Sequence, residues 1–201
     1  MLKVGLTGGL ATGKSFVGEA LAVLGCHFAK ADDFGHEVLA PRGLAYEEVL
    51  REFGRDILDE GGSAIDRSKL AAKVFGNKER LAALNQLVHP AVIKLEEEWF
   101  ARAAAADPEG IAVLEAAILI ETGSYRRFDK LILTVCSDQQ QIDRAVERGM
   151  SRAQALARFA HQMPLKEKRK FADYVVDTSG TKEDTLEQTR AVYGSLRSLT
   201  L

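Results

Sequence analysis

Residues 8–15 read Gly-Gly-Leu-Ala-Thr-Gly-Lys-Ser, an unbroken match to the phosphate-binding pattern GxxxxGK followed by Ser or Thr. The glycines permit a tight turn in which consecutive backbone N–H groups point inward at a phosphate. An apolar segment precedes the pattern and a helical one follows it, so the positive end of a helix faces the same anion. The pattern therefore predicts a nucleoside triphosphate site.

Each position of this loop has an expected role. Lys14 is predicted to reach the terminal phosphates and to act in catalysis, and the hydroxyl of Ser15 is predicted to bind Mg²⁺. The expected nucleotide contacts of the loop and the first helical turn are Gly8, Ala11, Thr12, Gly13, Lys14, Ser15 and Phe16.

The composition excludes several classes of protein. The chain has 201 residues, 46% of them hydrophobic, and a formal net charge of −2, which argues against disorder and against a coat for nucleic acid or membranes. No uncharged stretch approaches the roughly 20 residues that a membrane span needs, and the N-terminus lacks a secretion signal. Cys26 and Cys136 form no CxxC pair and are predicted to be buried, reduced thiols. We expect a soluble intracellular protein.

Short apolar segments alternate with helical patterns along much of the chain. The segments lack alternating polarity, as do strands buried on both faces, and strand–helix repetition predicts a parallel sheet with right-handed crossovers. A helix is predicted over Lys14–Leu24, and Ser137, Ser151 and Thr181 are start signals of later helices. The predicted strands are Leu2–Thr7, His27–Ala31, Ile111–Leu114, Lys130–Val135 and Tyr174–Val176. The predicted fold class is α/β, a three-layer P-loop NTPase-like sheet.

Residues 37–106 interrupt this alternation with helical patterns alone. About 70 helical residues between the second and third strands are too many for a crossover and predict an inserted lobe. His89 is expected near the cap of the last of these helices, whose first turn contains Pro90. The predicted helices are Tyr46–Phe53, Arg67–Phe75, Lys78–Val88 and Pro90–Ala106.

Two aspartates follow the second predicted strand, where a doubly wound sheet presents functional groups. Phosphoryl transfer to a hydroxyl needs a group that orients or deprotonates the acceptor, and Asp32 or Asp33 could supply it. The alternative for an aspartate just before a helix is an N-cap, and with two adjacent aspartates one could cap the helix while the other acts in catalysis. His36, one turn later, fits either a substrate contact or a solvated side chain.

Basic residues cluster in the last third of the chain. Arg144, Arg148, Arg152 and Arg158 lie on two successive helical patterns and suggest a lid that closes over phosphates, although each fits an ordinary solvated arginine. The run Lys166 to Lys170 has no interleaved aromatics and is interpreted as a solvated helix face.

Other nucleotide-binding classes fit less well. Residues 77–80, Asn-Lys-Glu-Arg, lack the aspartate of a guanine-reading motif, and Asp59-Glu60-Gly61-Gly62 is typical of a simple turn. A motor ATPase would end a strand in an acidic Walker B pair. Glu115 ends a predicted strand, but its spacing along the sequence does not decide for or against such a role. The size favours a small phosphotransferase. A kinase for another small acceptor, such as a nucleoside or sugar, and an NTP-dependent binding switch remain as alternatives.

Five elements in fixed order resemble the dephospho-CoA kinases, which phosphorylate the ribose 3′-hydroxyl of dephospho-CoA with ATP to complete coenzyme A. The resemblance extends from Leu2 to about Leu196. The elements are the start Leu6-Thr7-Gly8-Gly9 with Gly13-Lys14-Ser15, Ala31-Asp32, Leu87-Val88-His89-Pro90, Ile118-Leu119-Ile120-Glu121-Thr122-Gly123, and the stretch from Ala157 through Glu167-Lys168-Arg169 to Asp177.

The resemblance assigns roles to particular residues and segments. It implies that Asp32, rather than Asp33, is the catalytic base, and that Arg144 and Arg158 belong to the lid side of the ATP site. It also implies Mg²⁺, dephospho-CoA and ATP as partners without nucleic acid or membrane, and a cytoplasmic, commonly monomeric enzyme. The implied division is a nucleotide core of residues 1–36, 108–140 and 172–201, a helical acceptor domain of residues 37–107, and a lid of residues 141–171.

Three positions depart from the family pattern. Lys30 replaces an aspartate, Ala117 a proline and Thr178 an asparagine. The change at Lys30 argues against a metal role at that position and leaves the proposed base, Asp32, unchanged.

Overall fold

A computed structural model of the chain describes residues 1–200 and contains a five-stranded parallel sheet. The strand order is β2-β3-β1-β4-β5, and every neighbouring pair is parallel. This confirms the predicted sheet, with strand boundaries that differ by one residue at most. The strands are β1 (Leu2–Gly8), β2 (His27–Lys30), β3 (Ile111–Glu115), β4 (Lys130–Val135) and β5 (Tyr174–Asp177).

Helices connect the strands and also form most of the long segment between β2 and β3. None of those in residues 1–200 has the length and apolar character needed to cross a bilayer. Short 3₁₀ turns lie at Arg55–Ile57, Ser124–Arg127 and Arg169–Phe171. The helices are α1 (Lys14–Val23), α2 (Ala31–Leu39), α3 (Tyr46–Phe53), α4 (Arg67–Val74), α5 (Lys78–Ala106), α6 (Asp138–Glu147), α7 (Arg152–His161), α8 (Leu165–Lys168) and α9 (Lys182–Arg197).

The three central strands are buried on both faces, which explains their uninterrupted apolar sequence. The last five residues of β1 and the first four of β3 are buried. Side chains of these strands form one core with Val17 and Leu21 of α1 and with Val192 and Leu196 of α9. A second, smaller cluster lies around Leu119, Ile120 and Leu131. The apolar strands thus fix β1, and the loop that follows it, at the centre of the sheet.

Reciprocal capping boxes define the starts of three helices, as their sequences predict. The Ser137 hydroxyl accepts the Gln140 N–H at 3.2 Å, and the Gln140 side chain accepts the Ser137 N–H at 3.1 Å. Ser151 and Thr181 make the same paired contacts at the starts of α7 and α9. Each box satisfies backbone donors that a helix end leaves open.

The chain forms two compact units. One contains Met1–Lys30 and Arg102–Leu201, and the other contains Ala31–Ala101. The second unit has its own apolar core, which includes Val38, Val49, Phe53 and Ile57. The second unit covers most of residues 37–107 but begins six residues earlier and ends six residues earlier, and residues 141–171 lie within the first unit.

The predicted break at His89-Pro90 is wrong. Lys78–Val88 and Pro90–Ala106 are parts of the single helix α5, with Pro90 inside it and His89 one residue earlier rather than at a cap. A proline in a helix leaves the carbonyl four residues before it, here that of Gln86, without its usual donor. Gln86, His89 and Pro90 are all exposed, so water can satisfy that carbonyl while the opposite face of α5 packs.

Both cysteines are buried and without a disulfide, as predicted. Burial raises the pKa of the Cys26 thiol to about 12, although the positive charge of Arg197 acts in the opposite direction. Burial also raises the pKa of the Cys136 thiol, and Arg144 partly opposes this effect. Neither group therefore provides much of the reactive thiolate near neutral pH.

We expect both thiols to react slowly with Ellman's reagent at pH 8 in the folded protein. A raised pKa lowers the thiolate fraction at a given pH, and unfolding returns the pKa to about 8.5. Absorbance at the product wavelength should rise slowly in buffer and quickly in concentrated guanidinium. Fast stoichiometric labelling of either thiol without denaturant would contradict the assignment.

Candidate functional site: a phosphate-binding loop at the centre of the sheet

The loop between β1 and α1 has a backbone that its sequence makes possible. Gly13 has φ = 79° in the left-handed region, where a side chain is strained. At Gly8 the constraint is space, because an added Cβ would lie 2.3 Å from the hydroxyl oxygen of Thr134 and 2.4 Å from that of Thr12. The two fixed glycines of the pattern therefore serve different purposes, one conformational and one steric.

A buried pair of hydroxyl groups anchors the loop to the sheet. Thr12 Oγ1 lies 2.7 Å from Thr134 Oγ1, and both residues are fully buried. The Thr12 hydroxyl also lies 3.1 Å from the carbonyl oxygen of Gly9, which it can bond across the turn. Thr134 belongs to β4, the strand paired with β1, so the sheet itself holds the loop in place.

Side-chain donors form hydrogen bonds to three backbone carbonyl oxygens of the loop. Lys14 Nζ donates to the Gly9 oxygen at 2.8 Å, and Thr178 Oγ1 lies 3.0 Å from the Thr12 oxygen. The Gly8 oxygen accepts a bond from Lys168 Nζ at 3.2 Å. Because carbonyl oxygens carry partial negative charge, tying them to donors within the protein favours a loop that can receive an anion.

Ser15 faces an acidic partner on the neighbouring strand. Its hydroxyl donates to Glu115 Oε1 at 3.1 Å, and Glu115 is the last residue of β3. A hydroxyl and a carboxylate side by side are the hard oxygen donors that Mg²⁺ prefers. No cluster of three or more His, Cys, Asp or Glu side chains suited to a metal exists in residues 1–200. A cation here would therefore rely on few protein ligands together with phosphate oxygens.

Arg144 lies beside the loop through Thr178. Its guanidinium donates to Thr178 Oγ1 at 3.1 Å and to the Thr178 carbonyl at 2.7 Å. Both residues line a cavity of about 400 Å³, whose wall also includes Gly13 and Phe16. The structure thus brings the predicted contacts Gly13, Phe16 and Arg144 together around one cavity.

Arg158 lines a different cavity, of about 370 Å³, together with Leu10 and Ala11 of the loop. Arg148 lines both cavities. Arg152 instead lies 3.5 Å from Asp143 in an exposed ion pair. The cluster of arginines predicted from the sequence is therefore divided, with Arg144, Arg148 and Arg158 bordering loop cavities.

Asp32 and Asp33 are exposed residues in the first turn of α2, which follows β2 without a connecting loop. Neither precedes the helix, so the N-cap interpretation is wrong for both. Lys30, at the end of β2, forms an exposed ion pair with Glu19 at 3.3 Å. His36 contacts the guanidinium of Arg67 within the second unit.

Sequence reasoning was wrong about part of the basic run. The interpretation of Lys166 to Lys170 as a solvated helix face fails at Lys168, which is 0% exposed. The ammonium forms an ion pair with Glu121 at 2.9 Å and donates to the carbonyls of Gly8 and Ala117. The helix is also short, because α8 ends at Lys168 and a 3₁₀ turn follows. Four helical residues make only about one turn, so the spacing of their polar and apolar side chains cannot show which side of the helix is buried.

Two further site residues had weak sequence signals. The sequence places Glu115 at the end of a strand, but only the strand pairing brings it beside Ser15. Gln141 is almost fully buried, and an added Cβ at Gly9 would lie 2.2 Å from its side-chain oxygen. Nothing local in the sequence indicates that this helical glutamine packs on the loop.

Comparison with known proteins agrees with this geometry. The family model of dephospho-CoA kinase matches residues 2–184. A dephospho-CoA kinase of Aquifex aeolicus is 40% identical over 196 residues, which is 98% of each chain. One from Carboxydothermus hydrogenoformans is 41% identical over 186 residues, covering 92% of this chain and 89% of the relative.

Solved structures show the same architecture. The protein TT1252 from Thermus thermophilus superposes with a TM-score of 0.83 at 33% identity, covering 96% of this chain and 97% of the other. The dephospho-CoA kinase from Campylobacter jejuni has the same fold, with a TM-score of 0.64 at 24% identity and 96% coverage of both chains. From its near-complete family match and its relatives, the chain belongs to the dephospho-CoA kinase family, whose members phosphorylate dephospho-CoA in the last step of coenzyme A biosynthesis.

Proposed function

We propose that this chain transfers the γ-phosphoryl group of ATP to the ribose 3′-hydroxyl of dephospho-CoA, with Asp32 as the base and the loop at residues 8–15 as the triphosphate site. The observation that carries the proposal is the preformed loop, in which donors within the protein hold the carbonyls of Gly8, Gly9 and Thr12. Family membership supplies the identity of the acceptor.

The loop and Lys14 act on the phosphate side of the reaction. Phosphoryl transfer spreads negative charge over the equatorial oxygens, and catalysis depends mainly on positioning and electrostatic stabilisation. Lys14 would exchange its bond to the Gly9 carbonyl for one to a terminal phosphate, and the Thr12 hydroxyl, 3.1 Å from the same carbonyl, would remain as its donor. Backbone N–H groups of the loop and of the first turn of α1 would hold the remaining oxygens.

Ser15 and Glu115 are the residues that would hold Mg²⁺, since their oxygens already lie 3.1 Å apart at the end of β3. When bound, the ion neutralises charge on the β- and γ-phosphates. Its presence is part of the proposal and follows from the donor chemistry of these two side chains.

Asp32 would accept or orient the proton of the attacking hydroxyl. Its exposed carboxylate, in the first turn of α2 and two residues after β2, is accessible to a substrate. A general base of this kind is useful only when the acceptor is held in line with the γ-phosphate. We assign that holding to the helical acceptor domain of residues 37–107.

Arg144 and Arg158 would complete the ATP site from the proposed lid, residues 141–171. Their location on cavities that include Gly13 and Ala11, respectively, supports this assignment. Closure would exclude water, which otherwise competes with the acceptor for the phosphoryl group. We further propose a cytoplasmic monomer that acts on small molecules and binds neither nucleic acid nor membranes.

A coupled ADP-release assay with ATP and Mg²⁺ tests the choice of acceptor. We expect dephospho-CoA to support turnover, and CoA to give none because its 3′-hydroxyl already carries phosphate. Adenosine and free sugars are further controls. Turnover on adenosine or a sugar with none on dephospho-CoA would contradict the proposal.

Replacing Asp32 by Asn should lower kcat by about 10²- to 10⁴-fold, because the carboxylate can no longer take the proton. Affinity for ATP, measured by calorimetry, should stay close to wild type. Asp33→Asn is the matched control, since the two residues are adjacent and both exposed. Wild-type turnover in the Asp32 variant, or an equal loss in both variants, would remove Asp32 from the role of base.

Ser15→Ala and Glu115→Gln should each raise the Mg²⁺ concentration that gives half-maximal rate, by about tenfold. The physical reason is the loss of one hard oxygen ligand or of its charge. Ser195→Ala, on the exposed face of α9, is the matched control. Unchanged Mg²⁺ titration curves in both site variants would show that the ion is held elsewhere.

A further inference from the structure

Lys168 has no exposed surface, and in residues 1–200 it has the largest volume of the fully buried side chains. Burying an ammonium is costly unless its charge is paired and its donors are satisfied. A hydrophobic side chain of similar length would fill the same space without this cost. The position therefore needs an explanation other than packing.

The ammonium has three partners, one for each of its hydrogens. Glu121 Oε1 lies 2.9 Å away, the Ala117 carbonyl 2.9 Å and the Gly8 carbonyl 3.2 Å. Gly8 ends β1 and begins the phosphate-binding loop, whereas Ala117 and Glu121 lie on the connection after β3. One cation thus joins the start of the loop to the neighbouring strand connection.

Glu121 extends this network to the segment between α7 and α8. The same carboxylate oxygen accepts the backbone N–H of Met163 at 3.2 Å, and its side chain is 21% exposed. Met163, Leu165 and the loop residue Gly9 line a common cavity of about 210 Å³. The Lys168–Glu121 pair is therefore the point at which three chain segments around the loop meet.

We propose that Lys168 is a positioning residue of the ATP site, which fixes the phosphate-binding loop by holding the Gly8 carbonyl and which is itself fixed by Glu121. The proposal rests on the proposed use of this loop for ATP. With the Gly8 oxygen bonded to an ammonium, its partial negative charge is neutralised beside the triphosphate. A methionine at position 168 can fill the space that the lysine side chain occupies, but it has no donor to hold the Gly8 carbonyl.

The consequence is a specific kinetic pattern. Loss of the ammonium should allow the first residue of the loop to shift, and misplacement of about 1 Å can cost about 100-fold in rate. Lys168→Met should weaken ADP binding about tenfold and lower both kcat and kcat/KM for ATP by tenfold or more. The KM for dephospho-CoA should change by less than twofold, because the proposed acceptor domain, residues 37–107, does not include this loop.

The control is Lys170→Met. Lys170 lies two residues away in an exposed ion pair with Glu167, and its replacement should leave ADP affinity and turnover unchanged. Glu121→Gln keeps the shape and an acceptor for Met163 while removing the charge next to Lys168. It should weaken ADP binding by about threefold, in the same direction as Lys168→Met.

The measurements are ADP affinity by calorimetry, steady-state kinetics, and thermal unfolding to establish the folded fraction. Because ADP binding needs no acceptor, it tests Lys168 even if dephospho-CoA proves not to be the substrate. A folded Lys168→Met with wild-type ADP affinity and kcat, and only a lower Tm, would overturn the proposal. If Lys168→Met does not fold, wild-type ADP affinity in Glu121→Gln overturns it instead.

Discussion

A site that binds phosphate through backbone amides must keep the carbonyl oxygens of the same peptides turned away from the anion. In this chain the requirement is met by side chains, because Lys168, Lys14 and Thr178 take up the carbonyls of Gly8, Gly9 and Thr12. These donors come from the loop itself and from two distant parts of the sequence. The fold of the first unit brings these three donors to one place.

The central position of β1 in the sheet makes this convergence possible. With β3 on one side and β4 on the other, the loop after β1 meets the ends of both neighbours. Strand β3 supplies Glu115 to Ser15, and β4 supplies Thr134 to Thr12. An edge strand would have only one such neighbour. The arrangement also explains how a chain with a net charge of −2 can bind polyanionic substrates, since positive potential is needed only around the loop.

What the sequence predicts well is local. The strand–loop–helix order around residues 8–15, the apolar strands and the capping boxes depend on residues a few positions apart, and these predictions are confirmed. The helix break predicted at Pro90 is wrong because the cost of a proline to a helix depends on the exposure of the carbonyl it leaves without a donor, which the sequence does not give. The contacts of Lys168 and Glu115 could not be predicted. Lys168 bonds to Gly8, 160 residues away in the sequence, and Glu115 bonds to Ser15, 100 residues away. Their roles depend on strand order, and no local spacing encodes it.

The hydroxyl of Thr178 shows how one departure from the family pattern alters the loop. It lies within 3.1 Å of two carbonyl oxygens, those of Thr12 and Val135, while Arg144 donates to it. A hydroxyl has a single hydrogen, so the two carbonyls compete for it and only one is served at any instant. The amide of an asparagine has two N–H donors and could serve both together. The Val135 carbonyl also accepts the backbone N–H of Thr178 at 2.8 Å, so the end of β4 stays bonded in either rotamer. Rotation of the one hydroxyl therefore decides only whether the Thr12 carbonyl of the phosphate loop has this donor.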